Sequence, residues 1–285
     1  FMLSSFLKTR SIKGNDIVHA HNIPSALAMK NVPGKKILSL HGIYSQQITN
    51  LHGKIYSNIS KNYEGKALKW ADVITAVSKE TCNYYSKNGF DVLHVPNAID
   101  LNNFPKKVIK KFEKQIIFAG RLSKEKGIDV LLDTAKRLPP EYNLLILGIG
   151  PEEEKVRNIA NSKTNIHYLG YQSKQNTISL IRGSDLLIQP SIMEGISSTL
   201  LEAMGCETCI IASNVGGNIE IIENNKTGVL VEPNNAEELV DKISYLLIEN
   251  EKRSAMAANG LKTVVKYDWK QVGKLYLDIY ESLLH

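Results

Sequence analysis

Short apolar, β-branched runs recur along this chain, and nearly every one is followed by a stretch with helical spacing of its apolar residues. DIVHAH (16–21), KILSLH (36–41), DVITAV (72–77) and the short DVLHVP (91–96) form a first series. QIIFAG (115–120), NLLILG (143–148), IHYLG (166–170), DLLIQP (185–190), TCIIAS (208–213) and GVLVEP (228–233) form a second. Runs of this length, bounded by turn residues, read as strands buried on both faces. Their alternation with helices predicts α/β architecture, with parallel sheets covered by helices on both sides.

The series divides the chain. Residues 1–105 hold four strands, which is thin for a Rossmann-type half, whereas residues 106–267 hold a full set. Residues 102–113, with Pro105 and four lysines, read as a linker. Helices are expected near 24–31, ending near Trp70, starting at Ser78, and over 127–138, from 151, and over 174–182, 236–249, 251–266 and 268–284. Residues 42–62 read as a polar stretch, and residues 1–12 as a helix with apolar positions at 2, 3, 6, 7 and 12.

The stretch PSIMEGISSTLLEAMGCETCIIASNVGG (190–217) concentrates the chemistry. Glu194 lies on a loop after the strand DLLIQP. Gly195, Ile196, Ser197 and Ser198 then lead into a helical pattern that carries Glu202. Small residues at a strand-to-helix turn let an anion approach free backbone N–H groups at the positive end of a helix dipole. Carboxylates at each end would repel a bare phosphate, so they suit hydroxyls on either side of one. A nucleotide sugar has that layout.

Arg121 and Lys126 follow the strand QIIFAG, and ligands of open parallel sheets bind beyond the carboxyl ends of strands. Two cations there would stabilise the charge that develops on a departing diphosphate. Gly148 and Gly150 close another strand at the same edge and let the chain pass close to a base. Alternation puts His19 and His21 on one side of their strand. That spacing raises a metal, but no Asp-x-Asp accompanies it. Ser78 reads as a helix N-cap or a cleft residue. Cys206 and Cys209 lack the second pair a zinc site needs and read as core residues.

The segments PSIMEG-x5-LEAM, IIASNVGGNIEII, TGVLVEP, FAGRLSKEKGIDVLL, HVPNAIDLNNF, DIVHAHN and SLHG, in this order-preserving set over residues 16–270, resemble the family 4 glycosyltransferases, retaining enzymes of the GT-B fold. The resemblance implies two Rossmann-like domains facing each other across a cleft, and a final helix, 268–285, crossing back to the first. It also implies that the family's opening strand and glycine-rich loop are missing, so that the first domain is incomplete. It assigns Arg121 and Lys126 to the diphosphate, Glu194 to the sugar hydroxyls and Glu202 to the ribose. His41 is placed beside the transferred sugar, which it positions and polarises. Retention then needs no protein nucleophile, the leaving phosphate helping to accept the acceptor proton. No metal or other cofactor is expected. The sequence departs from the family pattern at Ile196 and Ser197, where Phe-Gly is usual, and at Ala98, Glu207 and Cys209.

Charge bears on the partner. Residues 1–111 carry 16 Lys and Arg against 6 Asp and Glu, and residues 112–285 carry 19 against 23. The basic half suits a solvated face or an anionic partner such as a membrane surface or an acidic glycan. No interleaved basic and aromatic motif points to nucleic acid. Three cysteines in 285 residues suggest a reducing compartment, and with no apolar run of membrane-spanning length the expected location is cytoplasmic, peripheral to the membrane face. The expected function is transfer of a sugar from a nucleoside diphosphate to a hydroxyl acceptor, lipid-linked or an envelope glycan. The alternatives are a nucleotide-sugar-binding accessory protein, and a phosphorylase or epimerase on the same fold. A dinucleotide dehydrogenase is disfavoured: no G-x-G-x-x-G with a downstream acid follows the first strand.

Overall fold

A computed structural model describes residues 9, 13–52 and 55–285. The chain divides into two compact units, one of residues up to Asn97 together with Lys270–His285, the other Ala98–Trp269. The helix expected over residues 1–12 lies outside the described residues, except for Thr9, whose hydroxyl donates to the Ala28 carbonyl at 2.9 Å.

The first unit is built on strands β1 (Ile17–His21), β2 (Lys35–Leu40), β3 (Val73–Ala76) and β4 (Leu93–His94), all parallel and in that order across the sheet. Its two faces differ. Ala20, Leu38, Leu40, Ile74 and Ala76 are buried in one apolar cluster. The alternate positions are largely polar: His19 and His21 on β1, Ser39 on β2 and His41 just beyond it, and Thr75 opposite Ser39 on β3. Tyr276 and Tyr280 of the last helix, Trp269–Leu284, meet this polar stripe; Tyr280 Oη lies 2.9 Å from His19 Nδ1.

Residues 42–62, read as a polar stretch, instead form the helix Tyr44–His52 and part of Ile55–Leu68. Their apolar residues are sparse among Ser, Asn, Gln and Lys, so the helical period is weak in sequence. Tertiary contacts supply what the pattern lacks. The buried Glu64 carboxylate accepts from the Tyr85 hydroxyl and from Ser45 N, tying the second helix to its neighbours. Ser78 caps the helix Lys79–Lys87 by accepting from Thr81 N at 3.2 Å.

The second unit carries β5 (Gln115–Ala119), β6 (Asn143–Leu147), β7 (Ile166–Gly170), β8 (Leu186–Gln189), β9 (Cys209–Ser213) and β10 (Val229–Val231). All pair in parallel, in the order β10-β9-β8-β5-β6-β7. Strand order reverses between β5 and β8, and there the connections leave toward opposite sides and open a crevice at the carboxyl ends. Residues 102–113 are no free tether. Ile109 N donates to Ser179 O at 2.9 Å and Lys110 pairs with Asp185 at 3.0 Å, while Leu101 and Phe104 close on Gly205. The segment therefore belongs to the second unit.

Glycines set how closely the loops at this edge approach. A Cβ on Gly127 (φ 70°) would stand 1.8 Å from the Pro190 carbonyl oxygen, and one on Gly148 (φ 128°) 1.8 Å from that of Gly120. Neither overlap can be relieved by a side chain, because both partners are backbone. Gly148→Ala is expected to cost more than about 2 kcal/mol, against about 1 kcal/mol for Gly14→Ala, where φ is also positive but the space is open. Urea unfolding of the two variants measures the difference.

Candidate functional site

The loop after β5 and the loop after β8 meet at the reversal of strand order. Ile192 N donates to Glu125 O at 2.9 Å, which fixes one loop against the other. Across this join Lys126 Nζ reaches both Glu194 oxygens, at 2.8 and 2.6 Å. Glu194 also accepts from Ser191 Oγ at 3.0 Å and Gln189 Nε2 at 3.4 Å. Its side chain is 9% exposed, so these partners replace the water it has lost. Gln189 and Ser191 carry little signal in the sequence, being two polar residues at the end of an otherwise apolar buried run.

Helix Ser198–Gly205 starts directly beyond this loop, with Ser197 as its N-cap residue in extended conformation. Ile196 and Ser197 are buried, while Ser198 is exposed. Gly195 is overlaid by Gly217, whose N–H donates to the Glu194 carbonyl at 3.2 Å. One helical turn on, Glu202 is 7% exposed and is paired by Lys174 Nζ, from the first turn of helix Lys174–Arg182. Lys174 had no signal in the sequence, since a lysine after a Ser cap is an ordinary helix start.

A cavity of about 590 Å³ lies at the carboxyl ends of β5, β6 and β7, and Arg121, Gly148, Gly150, Tyr171 and Thr199 are in its wall. It thus brings together three of the residues singled out in the sequence. The Lys126–Glu194 and Lys174–Glu202 pairs are not in that wall. Arg121 is exposed and, among the described residues, forms no ion pair. Gly148 and Gly150 do more than open space for a ligand, because each packs its backbone against the β5 loop, at Gly120 and Leu122.

Cys206 and Cys209 are buried, and burial pushes both thiols up to about 12, the behaviour of core residues. Among the described residues no group of three or more His, Cys, Asp or Glu is arranged to hold a metal ion.

In the first unit His41 belongs to a histidine array. His21 Nδ1 and His41 Nε2 are 3.1 Å apart, and the His19 and His21 rings stack with centroids 4.5 Å apart. His19 is engaged at both nitrogens, by Tyr280 Oη and, at 2.7 Å, by Ser39 Oγ, which in turn lies 2.6 Å from Thr75 Oγ1. The His41 N–H donates to Asn22 Oδ1 at 2.9 Å. Burial, followed by the neighbouring His21 and His41, lowers the pKa of His19 to about 4. Burial also lowers those of His21 and His41, with His21 adding to the effect on His41.

Comparison with known proteins bears on both units. The family described as Glycosyl transferases group 1 matches residues 100–263, and that described as Glycosyltransferase Family 4 matches residues 2–103. An uncharacterized glycosyltransferase of Methanocaldococcus jannaschii is 30% identical over 282 residues, covering 95% of this chain and 76% of the relative. The phosphatidyl-myo-inositol mannosyltransferase of Mycolicibacterium smegmatis is 23% identical over 281 residues, covering 94% and 71%. The solved structure of Anabaena HepE in complex with UDP-glucose superposes with a TM-score of 0.82 at 18% identity, covering 99% of this chain and 82% of that one. These likenesses place the two parallel-sheet units in the GT-B fold.

The histidine array makes stability pH-dependent. His19 titrates near 4 when folded and near 6.5 when unfolded, so between those values the unfolded chain binds the extra proton. Its contribution is complete above about pH 6.5 and is lost as pH falls toward about 4. Urea midpoints at pH 7 and pH 4.5 are expected to differ less in His19→Gln than in the wild type.

Proposed function

The chain belongs to the glycosyl transferases of group 1, and we propose that it moves a sugar from a nucleoside diphosphate sugar to a hydroxyl acceptor with retention of configuration. The observation that carries this reading is the juxtaposition, at the reversal of strand order, of the Lys126–Glu194 pair with an open helix N-terminus and the Arg121 cavity. Cations, backbone N–H groups and hydroxyl-accepting carboxylates are the groups that a nucleotide sugar calls on, which supports this reading.

In this reading Arg121 and Lys126 take the diphosphate, together with the backbone N–H groups at Gly195–Ser198. Glu194 accepts from the sugar hydroxyls and Glu202 from the ribose, while Gly148 and Gly150 admit the base. The bond between the anomeric carbon and the phosphate oxygen breaks with its electron pair going to the diphosphate. The acceptor oxygen forms the new bond, and the departing phosphate helps to accept its proton. The cations and amides act most strongly once the diphosphate carries its full charge, which is transition-state stabilisation rather than uniform binding. No residue has to form a covalent intermediate, and no metal is required to balance the leaving group. His41 is the first unit's assigned contribution to the reaction.

The acceptor is assigned to the first unit, whose sequence half is the basic one. That charge, and the lipid named for the mycobacterial relative, support an anionic, lipid-linked acceptor met at a cytoplasmic membrane face. Among the described residues no helix is long and apolar enough to cross a membrane.

Thermal shifts with UDP, GDP and ADP, then with their sugars, are the first test. Ligand at 100 times its dissociation constant adds ~2.7 kcal/mol and moves the midpoint by a few degrees. One responsive nucleotide is expected, and none would overturn the donor reading. In the transfer assay that follows, Arg121→Ala and Glu202→Ala should each lose ~10²-fold or more in rate. Vesicles rich in phosphatidylserine should bind the protein at low salt and release it at high salt; no binding at low salt would remove the membrane from the proposal.

A further inference from the structure

The second unit's two enclosed carboxylates are held differently. Glu194 accepts from Lys126, Ser191 and Gln189, so it keeps donors of its own whatever the lysine does. Glu202 is as enclosed, yet among the described residues only Lys174 donates to its carboxylate. Lys174 itself is 64% exposed and makes no other hydrogen bond or ion pair among these residues. Its ammonium can therefore leave without giving up water, whereas Glu202 is costly to leave alone. The pair can open from the lysine's side, provided that something else takes the carboxylate.

This ion pair does little to join the two helices that carry it. Helix Lys174–Arg182 is already tied to the end of helix Ser198–Gly205 and to the strand beyond it. Cys206 Sγ lies 3.6 Å from the Ile178 carbonyl, and Thr208 Oγ1 donates to the Ile181 carbonyl at 2.8 Å. An ion pair with one member in water adds little to such contacts. Its place in the fold is more telling. Thr177, one turn after Lys174, and Thr199, one turn before Glu202, are both in the wall of the cavity that Arg121 also lines. Residues three apart share a helix face, so the pair borders that cavity from both helices.

We propose that Lys174 is a nucleotide-binding residue that exchanges partners. In the free protein it neutralises Glu202; when the ribose hydroxyls of a nucleotide take Glu202, its ammonium passes to the phosphate next to the ribose. The inference rests on the assignment of Glu202 to the ribose in the donor reading. A nucleoside can open the pair but leaves the ammonium only water. Inorganic diphosphate attracts the ammonium but gives Glu202 nothing in return. A nucleotide does both, its hydroxyls donating to Glu202 while its phosphate accepts a charge-assisted hydrogen bond from Lys174 Nζ. Lys174 thereby couples recognition of the ribose to recognition of the phosphate.

Calorimetric titration of the full chain tests the exchange, using the nucleotide that the thermal screen selects and its monophosphate. The nucleoside is titrated by protein-detected NMR, which reads weak binding. Lys174→Met should weaken both phosphate-bearing ligands about tenfold or more, and leave the nucleoside unchanged or tighter. Lys174→Arg should keep most of the affinity for all three. Equal losses for all three ligands in Lys174→Met, or no loss for any, overturn the proposal. A double-mutant cycle adds a second reading: the loss on Lys174→Met should persist in a Glu202→Gln background, because the lysine then acts on the phosphate itself. A loss that vanishes there means that Lys174 works only through Glu202, which also overturns it. Trace acetylation of the wild type, read by mass spectrometry, needs no variant. Labelling of Lys174 should rise with the nucleoside, which frees the amine, and not with the nucleotide; a rise with both, or with neither, counts against the exchange. A wild type that binds no nucleotide sinks the donor reading and the exchange together. A wild type that binds nucleotides while Lys174→Met treats all three ligands alike sinks the exchange alone.

Discussion

The contact on which the second unit's site depends is backbone on backbone. At the carboxyl edge of its sheet, the chain after β5 lies directly under the Pro190 carbonyl at Gly127, and Gly148 and Gly150 bring the β6 loop onto Gly120 and Leu122. Gly217 closes on Gly195 in the same way. Side chains at these points would hold the loops apart by the width of a methyl group or more. Lys126 would then no longer reach both Glu194 oxygens, a geometry that tolerates little displacement. The glycines thus act on function indirectly, by letting charged groups from separate strands converge.

The first unit solves a different problem, that of a polar stripe on a buried parallel sheet. Such strands are normally apolar on both faces. Here His19, Ser39 and Thr75 satisfy one another across three strands, and Tyr280 closes the chain of hydrogen bonds from the last helix. Among these groups each ring nitrogen of His19 and the Ser39 hydroxyl has a partner, so burial costs little beyond the suppression of charge on the imidazoles. That suppression is what makes neutral ring-to-ring hydrogen bonding between His21 and His41 possible at neutral pH.

Much of the architecture was legible because strands buried on both faces are written as continuous apolar runs. The six strands of the second unit and the turn from Glu194 into the Glu202 helix follow from such runs and from small residues at a helix start. What escaped were features held by tertiary contacts. The helix Tyr44–His52 has too few apolar residues to show a period, and residues 102–113 look like a linker by composition although Ile109 and Lys110 bind them to the second unit. The partners Gln189, Ser191 and Lys174 are ordinary polar residues until the strand order brings their neighbours close. The His21–His41 bond depends on the register that sets His21 beside Ser39, which spacing along one strand does not encode.

The two ion pairs also bear on which ligands the proposed donor site favours. Glu194 and Glu202 are nearly buried, and each is held by a lysine from another part of the second unit. A ligand that takes only the lysine leaves a nearly buried carboxylate without its cation, which is unfavourable. That penalises a bare phosphate. A neutral sugar has the opposite defect, since its hydroxyls can take Glu194 but give Lys126 nothing to pair with. A molecule with hydroxyls and anionic phosphates side by side offers both members of the pair a new partner at once, so the exchange leaves no charge exposed to a dry surrounding. Under the proposed function, preference for a sugar joined to a diphosphate would come from the way the carboxylates are neutralised, without a contact that reads the sugar's identity.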